Sequence, residues 1–275
     1  MDYTIEKDLI RVKKDEFFNP IDTATCGQVF RYKVEGENVT FFSKDKQAKI
    51  VKTTGGYDIF TNAPKYFVNY LDFDRNYGII YTKLIDKGLI LQCCDYSKGI
   101  RILNQDLVET IISFIISANN NIPRIQKIIE RLCKELGENM GDYYAFPTLD
   151  KLSSAGERFY QSIGAGYRAK YLDETSKRLK ELDVESWRGL DTNSLVKNLT
   201  SLMGVGPKVA DCIALFGYHK EDVCPVDTWM KKVYNTYFGK SDDAKLIRRE
   251  LTNRFGDLSG YMQQYLFFYQ RELDK

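Results

Sequence analysis

The sequence predicts an α+β protein, with an N-terminal antiparallel β-sheet domain over residues 1–104 and an all-helical domain over 105–275. Two observations carry this. From Val29 the chain reads VFRYKV, EGEN, VTFFS, KDK, QAKIVKT, TGG and YDIFT. Such short runs of β-branched and aromatic residues, punctuated by turn formers, are a meander pattern. After Asn104 the apolar residues recur at helical spacing instead. The length of 275 residues exceeds the roughly 100–200 of a typical domain, which agrees with two units.

The helical elements follow in order. Asp106, with Glu109 three residues on, reads as a capping box opening LVETIISFIISA. Asn119–Asn120–Asn121 breaks that helix. IPRIQKIIERLCKEL then places Ile125, Ile128, Ile129, Leu132, Cys133 and Leu136 on one face, with Gly137 as the stop. Similar stretches cover about 169–182, 193–202, 207–217, 228–238, 243–255 and 258–272. No 3.6-residue period emerges in the first hundred residues.

Composition sets bounds. With 43% apolar and 28% charged residues the chain is neither disordered nor fibrous. No apolar stretch approaches the roughly 18 residues of a membrane span, and MDYTIEKDLIRVKKDEFF lacks a signal pattern. Both point to a cytoplasmic protein with no membrane partner. The six cysteines show no zinc or iron–sulfur spacing and the only histidine is His219, so no metal and no iron–sulfur cluster is expected. His219 itself reads as a solvated loop residue. Net charge is +2, with +1 over residues 1–100, 0 over 101–200 and +1 over 201–275. Charge alone points to no partner.

The most specific segment is LTSLMGVGPKVADCIALF, residues 199–216. Gly204 and Gly206 around Val205 permit a tight turn, and Pro207 suits the first position of a new helix. Two helices joined this way present turn amides and a helix N-terminus outward, an arrangement that favours an anion such as a DNA phosphate. A plain turn between two core helices fits Gly-x-Gly as well. The apolar flanks, Leu199 and Leu202 before it and Ala210, Ile213 and Leu215 after it, favour the first reading.

Lys208 follows directly, at a helix N-terminus where the dipole disfavours a cation. That field and partial desolvation are expected to depress its pKa and free the amine as a nucleophile; a surface lysine is the alternative. Nineteen residues on, Asp227 precedes another helix, where a plain N-cap explains it. In a cleft it would instead stabilise positive charge developing on a sugar.

GVGPKVAD followed by PVD resembles the helix-hairpin-helix, Gly/Pro-Asp motif of base-excision DNA glycosylases. Within that superfamily the chain is most similar to the 8-oxoguanine DNA glycosylases. CGQVFRY at 26–32, SANNNIPRI at 117–125, GAGYRAKY at 164–171 and GYMQQYLF at 260–267 extend the likeness from about Thr25 to the C-terminal helix.

The resemblance implies a bifunctional glycosylase and β-lyase. Lys208 would be the Schiff-base nucleophile and Asp227 the catalytic carboxylate. Gly27 would offer its carbonyl to N7–H of 8-oxoguanine, a proton that guanine lacks. Cys212 and Phe267 would sandwich the flipped base while Gln263 reads its Watson–Crick edge. Asn119, Arg124 and Arg168 would hold the orphaned cytosine, with Tyr167 as the wedge beside it. Gly204, Val205 and Gly206 would grip phosphate.

The implied partner is double-stranded DNA carrying 8-oxoguanine opposite cytosine, met by a monomer at the bacterial nucleoid. No cofactor is implied, beyond room for a structural monovalent or divalent cation at the hairpin. Trp229, where relatives carry histidine, Tyr261, where tryptophan is usual, and Cys224 depart from the pattern. A glycosylase for another damaged base, and a non-catalytic DNA-binding protein, are the alternatives.

Overall fold

A computed structural model describes residues 1–274. Six antiparallel strands, β1 Tyr3–Glu6, β2 Leu9–Lys13, β3 Tyr32–Glu35, β4 Asn38–Ser43, β5 Lys46–Thr53 and β6 Gly56–Phe60, form one sheet in the order β1-β2-β6-β5-β4-β3. Two-residue loops close the β3/β4, β4/β5 and β5/β6 hairpins, pairing Glu35 with Asn38, Ser43 with Lys46 and Thr53 with Gly56. Alternation then sends Ile10, Val39, Phe41, Ile50 and Ile59 to one buried face. Phe67 and Tyr70 of a covering helix fill the same core.

Fourteen helices are described: α1 Pro20–Thr25, α2 Pro64–Tyr70, α3 Tyr77–Asp86, α4 Leu91–Ser97, α5 Leu107–Ser117, α6 Ile122–Leu136, α7 Leu149–Ser154, α8 Glu157–Ser162, α9 Arg168–Glu181, α10 Thr192–Thr200, α11 Pro207–Phe216, α12 Thr228–Tyr237, α13 Ala244–Phe255 and α14 Ser259–Leu273. The long ones fall where the sequence predicts them. Helices α1 to α4 lie within the first hundred residues, where no helical period was visible. Helices α1, α2 and α4 span six or seven residues, too few turns for a period to register, and in the ten-residue α3 the exposed Ile79 beside buried Ile80 and Leu84 blurs the stripe. Their start signals are ordinary: Asn19 caps α1, Asn76 caps α3, and Pro20 and Pro64 open α1 and α2.

Two hydrophobic cores result. One lies under the sheet; the other joins Tyr77, Leu84, Cys93 and Cys94 of α3 and α4 to the helices after Asn104. Helix α4 packs on α14, so the helical core recruits chain from well before residue 104.

The capping box at α5 is half present. Asp106 accepts the Glu109 N–H at 3.0 Å. Glu109 does not return to Asp106; its carboxylate turns inward to Arg31 Nη1 at 3.1 Å and accepts the Lys44 N–H at 2.8 Å. A buried guanidinium is a stronger partner than an exposed amide. Arg31 also donates to the carbonyls of Lys44 and Tyr144, pinning a sheet turn to the helical domain.

Candidate active site

One pocket gathers residues from five stretches of chain. Helix α11 supplies Lys208, Cys212 and Phe216, and the segment before α12 supplies Pro225 and Asp227. Helix α14 adds Gln263, Gln264 and Phe267; Phe114 of α5 and the Cys26–Gly27 turn close it. Helical spacing explains the grouping, since residues four apart on α11 and on α14 share a face. Its free volume is about 40 Å³, room for a water or two rather than a purine, so the walls must part to admit a base.

Lys208 is half-buried, and its Nζ stands 5.9 Å from the centre of the Phe114 ring. Burial alone would lower its pKa, but the Cys212 sulfur and the Asp227 carboxylate outweigh that and hold the ammonium above the ordinary lysine range. This corrects the expected depression. The dipole at the start of α11 is a fraction of a charge, whereas the Asp227 carboxylate carries a full one. Burial in turn pushes the Cys212 thiol up to about 11, against the opposing pull of Lys208.

Asp227 is both a helix cap and a pocket residue. Its Oδ1 accepts the Met230 N–H at 2.9 Å as the N-cap of α12, and the residue also lines the pocket. The cap holds the carboxylate through Oδ1.

The opposite wall is built around Gly27, whose φ of +88° suits glycine. A β-carbon there would lie 3.2 Å from Phe267 Cε1, so the phenyl rests against the glycine. Gln263 is buried, and its Oε1 has no hydrogen-bond partner, an unusual state for a buried amide. Phe114 and Gln264 were not picked out from the sequence. The Gln263–Gln264 doublet inside an otherwise aromatic helix was the available signal.

At the hairpin, Gly204 has φ +83°, and a β-carbon would lie 2.7 Å from Tyr171 Cβ. Gly206 caps α11 in extended conformation with no side-chain hydrogen bond. Val205 is buried and anchors the turn, and the uncapped first-turn amides of α11 suit an anion.

Asn119, Arg124, Tyr167 and Arg168 come together beyond the C-terminal end of α5, about 6 Å along that helix from Phe114. Asn119 sits at φ +49°. Asn119, Arg124 and Tyr167 are exposed, but Arg168 is 2% exposed. Arg168 Nε donates to the Ala118 carbonyl at 2.8 Å and Nη2 to the Asn119 carbonyl at 2.7 Å, while Tyr167 Oη donates to Ala118 at 3.2 Å. Arg168 therefore shapes the turn that presents Asn119.

The residues that depart from the pattern also find places. His219 is not solvated: its side chain is 12% exposed, with Nδ1 3.3 Å from Glu221 and Nε2 3.8 Å from Asp72. Glu221 lies two residues on in the chain, and the fold brings Asp72 to it from a distant segment. Tyr261 is fully buried, edge-on to Tyr77 at 5.7 Å. Cys224 is buried, and Lys232 lies 5.8 Å over the Trp229 ring. No group of three metal-binding side chains occurs among the described residues.

Fold and pocket define a class: a helix-hairpin-helix domain, closed on one side by an antiparallel-sheet domain, with a lysine and an aspartate facing one cavity. Residues 112–256 match the family model of the HhH-GPD superfamily base excision DNA repair proteins, and residues 9–111 match that of the 8-oxoguanine DNA glycosylase N-terminal domain. A probable N-glycosylase/DNA lyase of Methanothermobacter thermautotrophicus is 33% identical over 227 residues, 72% of each chain. N-glycosylase/DNA lyase OGG1 of Arabidopsis thaliana is 35% identical over 189 residues, 62% of this chain and 52% of its own. The chain thus spans about half the length of that plant relative. The 8-oxoguanine glycosylase/lyase of Clostridium acetobutylicum, solved with dsDNA containing cytosine opposite to 8-oxoG, superposes with a TM-score of 0.93 at 38% identity over all of both chains. The chain belongs to the HhH-GPD superfamily of base excision DNA repair proteins, within its 8-oxoguanine DNA glycosylase family.

Proposed function

We propose that this protein is a bifunctional DNA glycosylase/AP lyase that flips out and excises 8-oxoguanine paired with cytosine. The observation that carries the reading is the facing of Lys208, Asp227 and Gly27 across one cavity. The Lys208 amine, once deprotonated, attacks C1′ as the N-glycosidic bond breaks and its electron pair leaves with the base. Asp227 balances the positive charge on the sugar. Loss of an amine proton and opening of the C1′–O4′ bond turn this adduct into a Schiff base, which acidifies C2′–H, and β-elimination expels the 3′-phosphate.

On the base side, Cys212 and Phe267 form the two faces, and the unpartnered Gln263 Oε1 supplies an edge acceptor. Asn119, Arg124 and Tyr167 meet the orphaned cytosine, with Arg168 supporting their turn, and Gly204–Gly206 grips a phosphate. The reading needs no cofactor or metal, leaves room for a structural cation at the hairpin, and takes the protein as a monomer acting on nucleoid DNA in the cytoplasm.

Borohydride trapping on a duplex with a single 8-oxoguanine opposite cytosine tests it. A covalent adduct on that duplex, absent with undamaged DNA and with Lys208→Gln, is expected. An adduct on an abasic duplex alone would move the substrate to another base. No adduct on either would leave only binding.

A further inference from the structure

The Gly27 carbonyl stands out among its neighbours. Arg271 Nη2 donates to the Thr25 carbonyl at 2.7 Å, and Gln264 Nε2 donates to the Cys26 carbonyl at 2.7 Å. On the other side, Gln105 Nε2 donates to the Gln28 carbonyl at 2.7 Å. Gln28 is itself buried, with Nε2 on the Arg101 carbonyl at 2.7 Å and Oε1 accepting the Leu103 N–H at 2.9 Å. The carbonyls before and after Gly27 are thus bonded to side chains. Among the described residues its own accepts no hydrogen bond, and Gly27 lines the pocket.

The polarity of that peptide matters. Glycine tolerates either sign of φ, so an unrestrained Gly27–Gln28 peptide could turn over. It would then present the Gln28 N–H, a donor that welcomes the N7 lone pair of ordinary guanine. An open Gly27 carbonyl at the pocket offers an acceptor instead, which suits only a purine protonated at N7. Gln264, Phe267 and Arg271 form one stripe of α14 at three- and four-residue spacing. The Arg271 guanidinium also lies 5.5 Å from the Phe267 ring centre, tying ring and turn to one support.

We propose that Gln264 and Arg271 are positioning residues that lock the Gly27 carbonyl toward the base pocket and thereby set selectivity for a purine carrying a proton at N7. This rests on the function proposed above.

The test compares two activities of the full chain. Release of 8-oxoguanine needs the Gly27 wall; cleavage at a preformed abasic site needs only Lys208, Asp227 and the phosphate grip. Arg271→Leu, Gln264→Leu and the double variant should each lose about tenfold or more in single-turnover base release. Abasic cleavage by Arg271→Leu should change by less than about twofold, and Arg271→Lys, which can still donate to Thr25, should recover part of the loss. In a Lys208→Gln background, the affinity ratio of the 8-oxoguanine duplex over the guanine duplex should fall in the same order.

Unchanged base release in the double variant would overturn the proposal. So would equal losses in both activities with a lowered melting temperature, which would make the ties merely structural. Wild-type protein that cleaves abasic DNA yet releases no 8-oxoguanine would overturn the functional reading itself, and the selectivity role with it.

Discussion

Lys208 and Cys212, one turn apart on α11, line the same pocket, and the Cys212 sulfur favours the charged form of the lysine. That is the form that cannot attack. With Asp227 acting in the same direction, the ammonium is favoured, and a free amine appears only as a proton leaves.

The pH dependence of trapping follows from that sign. A raised lysine pKa means that the free amine, scarce at neutral pH, grows about tenfold per pH unit below its pKa. Trapping on an abasic duplex should therefore accelerate steadily from pH 6 toward pH 9. Cys212→Ala removes one of the two groups that hold the ammonium and should move the rise to lower pH. Superimposable profiles for the two proteins would show that Cys212 does not hold the proton on Lys208.

Gly204 meets two constraints at once, a φ of +83° and the side chain of Tyr171. Gly204→Ala should cost about 2 kcal/mol of stability and weaken binding to an abasic duplex by misplacing the hairpin amides. Chemical denaturation and a fluorescence titration would measure the two effects. An alanine variant with wild-type affinity would remove the hairpin from the DNA contact.

The Arg31–Glu109 pair is buried on both sides, with side chains 8% and 9% exposed. Glu109→Ala would strand Arg31 and the Lys44 N–H, and a loss of about 3–5 kcal/mol is expected in urea unfolding. Glu109→Gln, which keeps the acceptor for Lys44, should lose less. Equal losses would mean that the charge carries no weight there.

Asp22 provides the opposite case. Burial, with repulsion from Glu272 second, raises its carboxyl from 3.8 to about 6. A carboxyl raised on folding costs stability as pH climbs through the window from about 4 to 6, and the deficit persists above it. Asp22→Asn should therefore stabilise the protein by about 1 kcal/mol at neutral pH, a figure reduced for partial exposure. The advantage should vanish below about pH 4. Melting curves at pH 4 and pH 8 would decide; an advantage of the same size at both would exclude titration as its source.

Much of this protein is determined by short-range signals in its sequence. The two-residue strand loops, the long helices and the turn around Gly204 are set by alternation, helical period and glycine conformations that neighbouring residues specify. Lys208 and Asp227 were legible because a hairpin helix and the capped helix after it place them within twenty residues of one another, whereas Cys212 entered through the family resemblance. Tertiary structure alone decided the rest. Helices α1 to α4 owe their place to packing, since α1, α2 and α4 are too short to show a period and an exposed Ile79 blurs the stripe of α3. Glu109 abandons its cap for Arg31, His219 is drawn into a buried cluster with Asp72 and Glu221, and Arg168 spends its donors on backbone carbonyls. The rise in the Lys208 pKa, and the bonds from Gln264 and Arg271 that leave only the Gly27 carbonyl open, arise in the same way. Burial and pairing depend on which distant segments meet, and no local pattern encodes that.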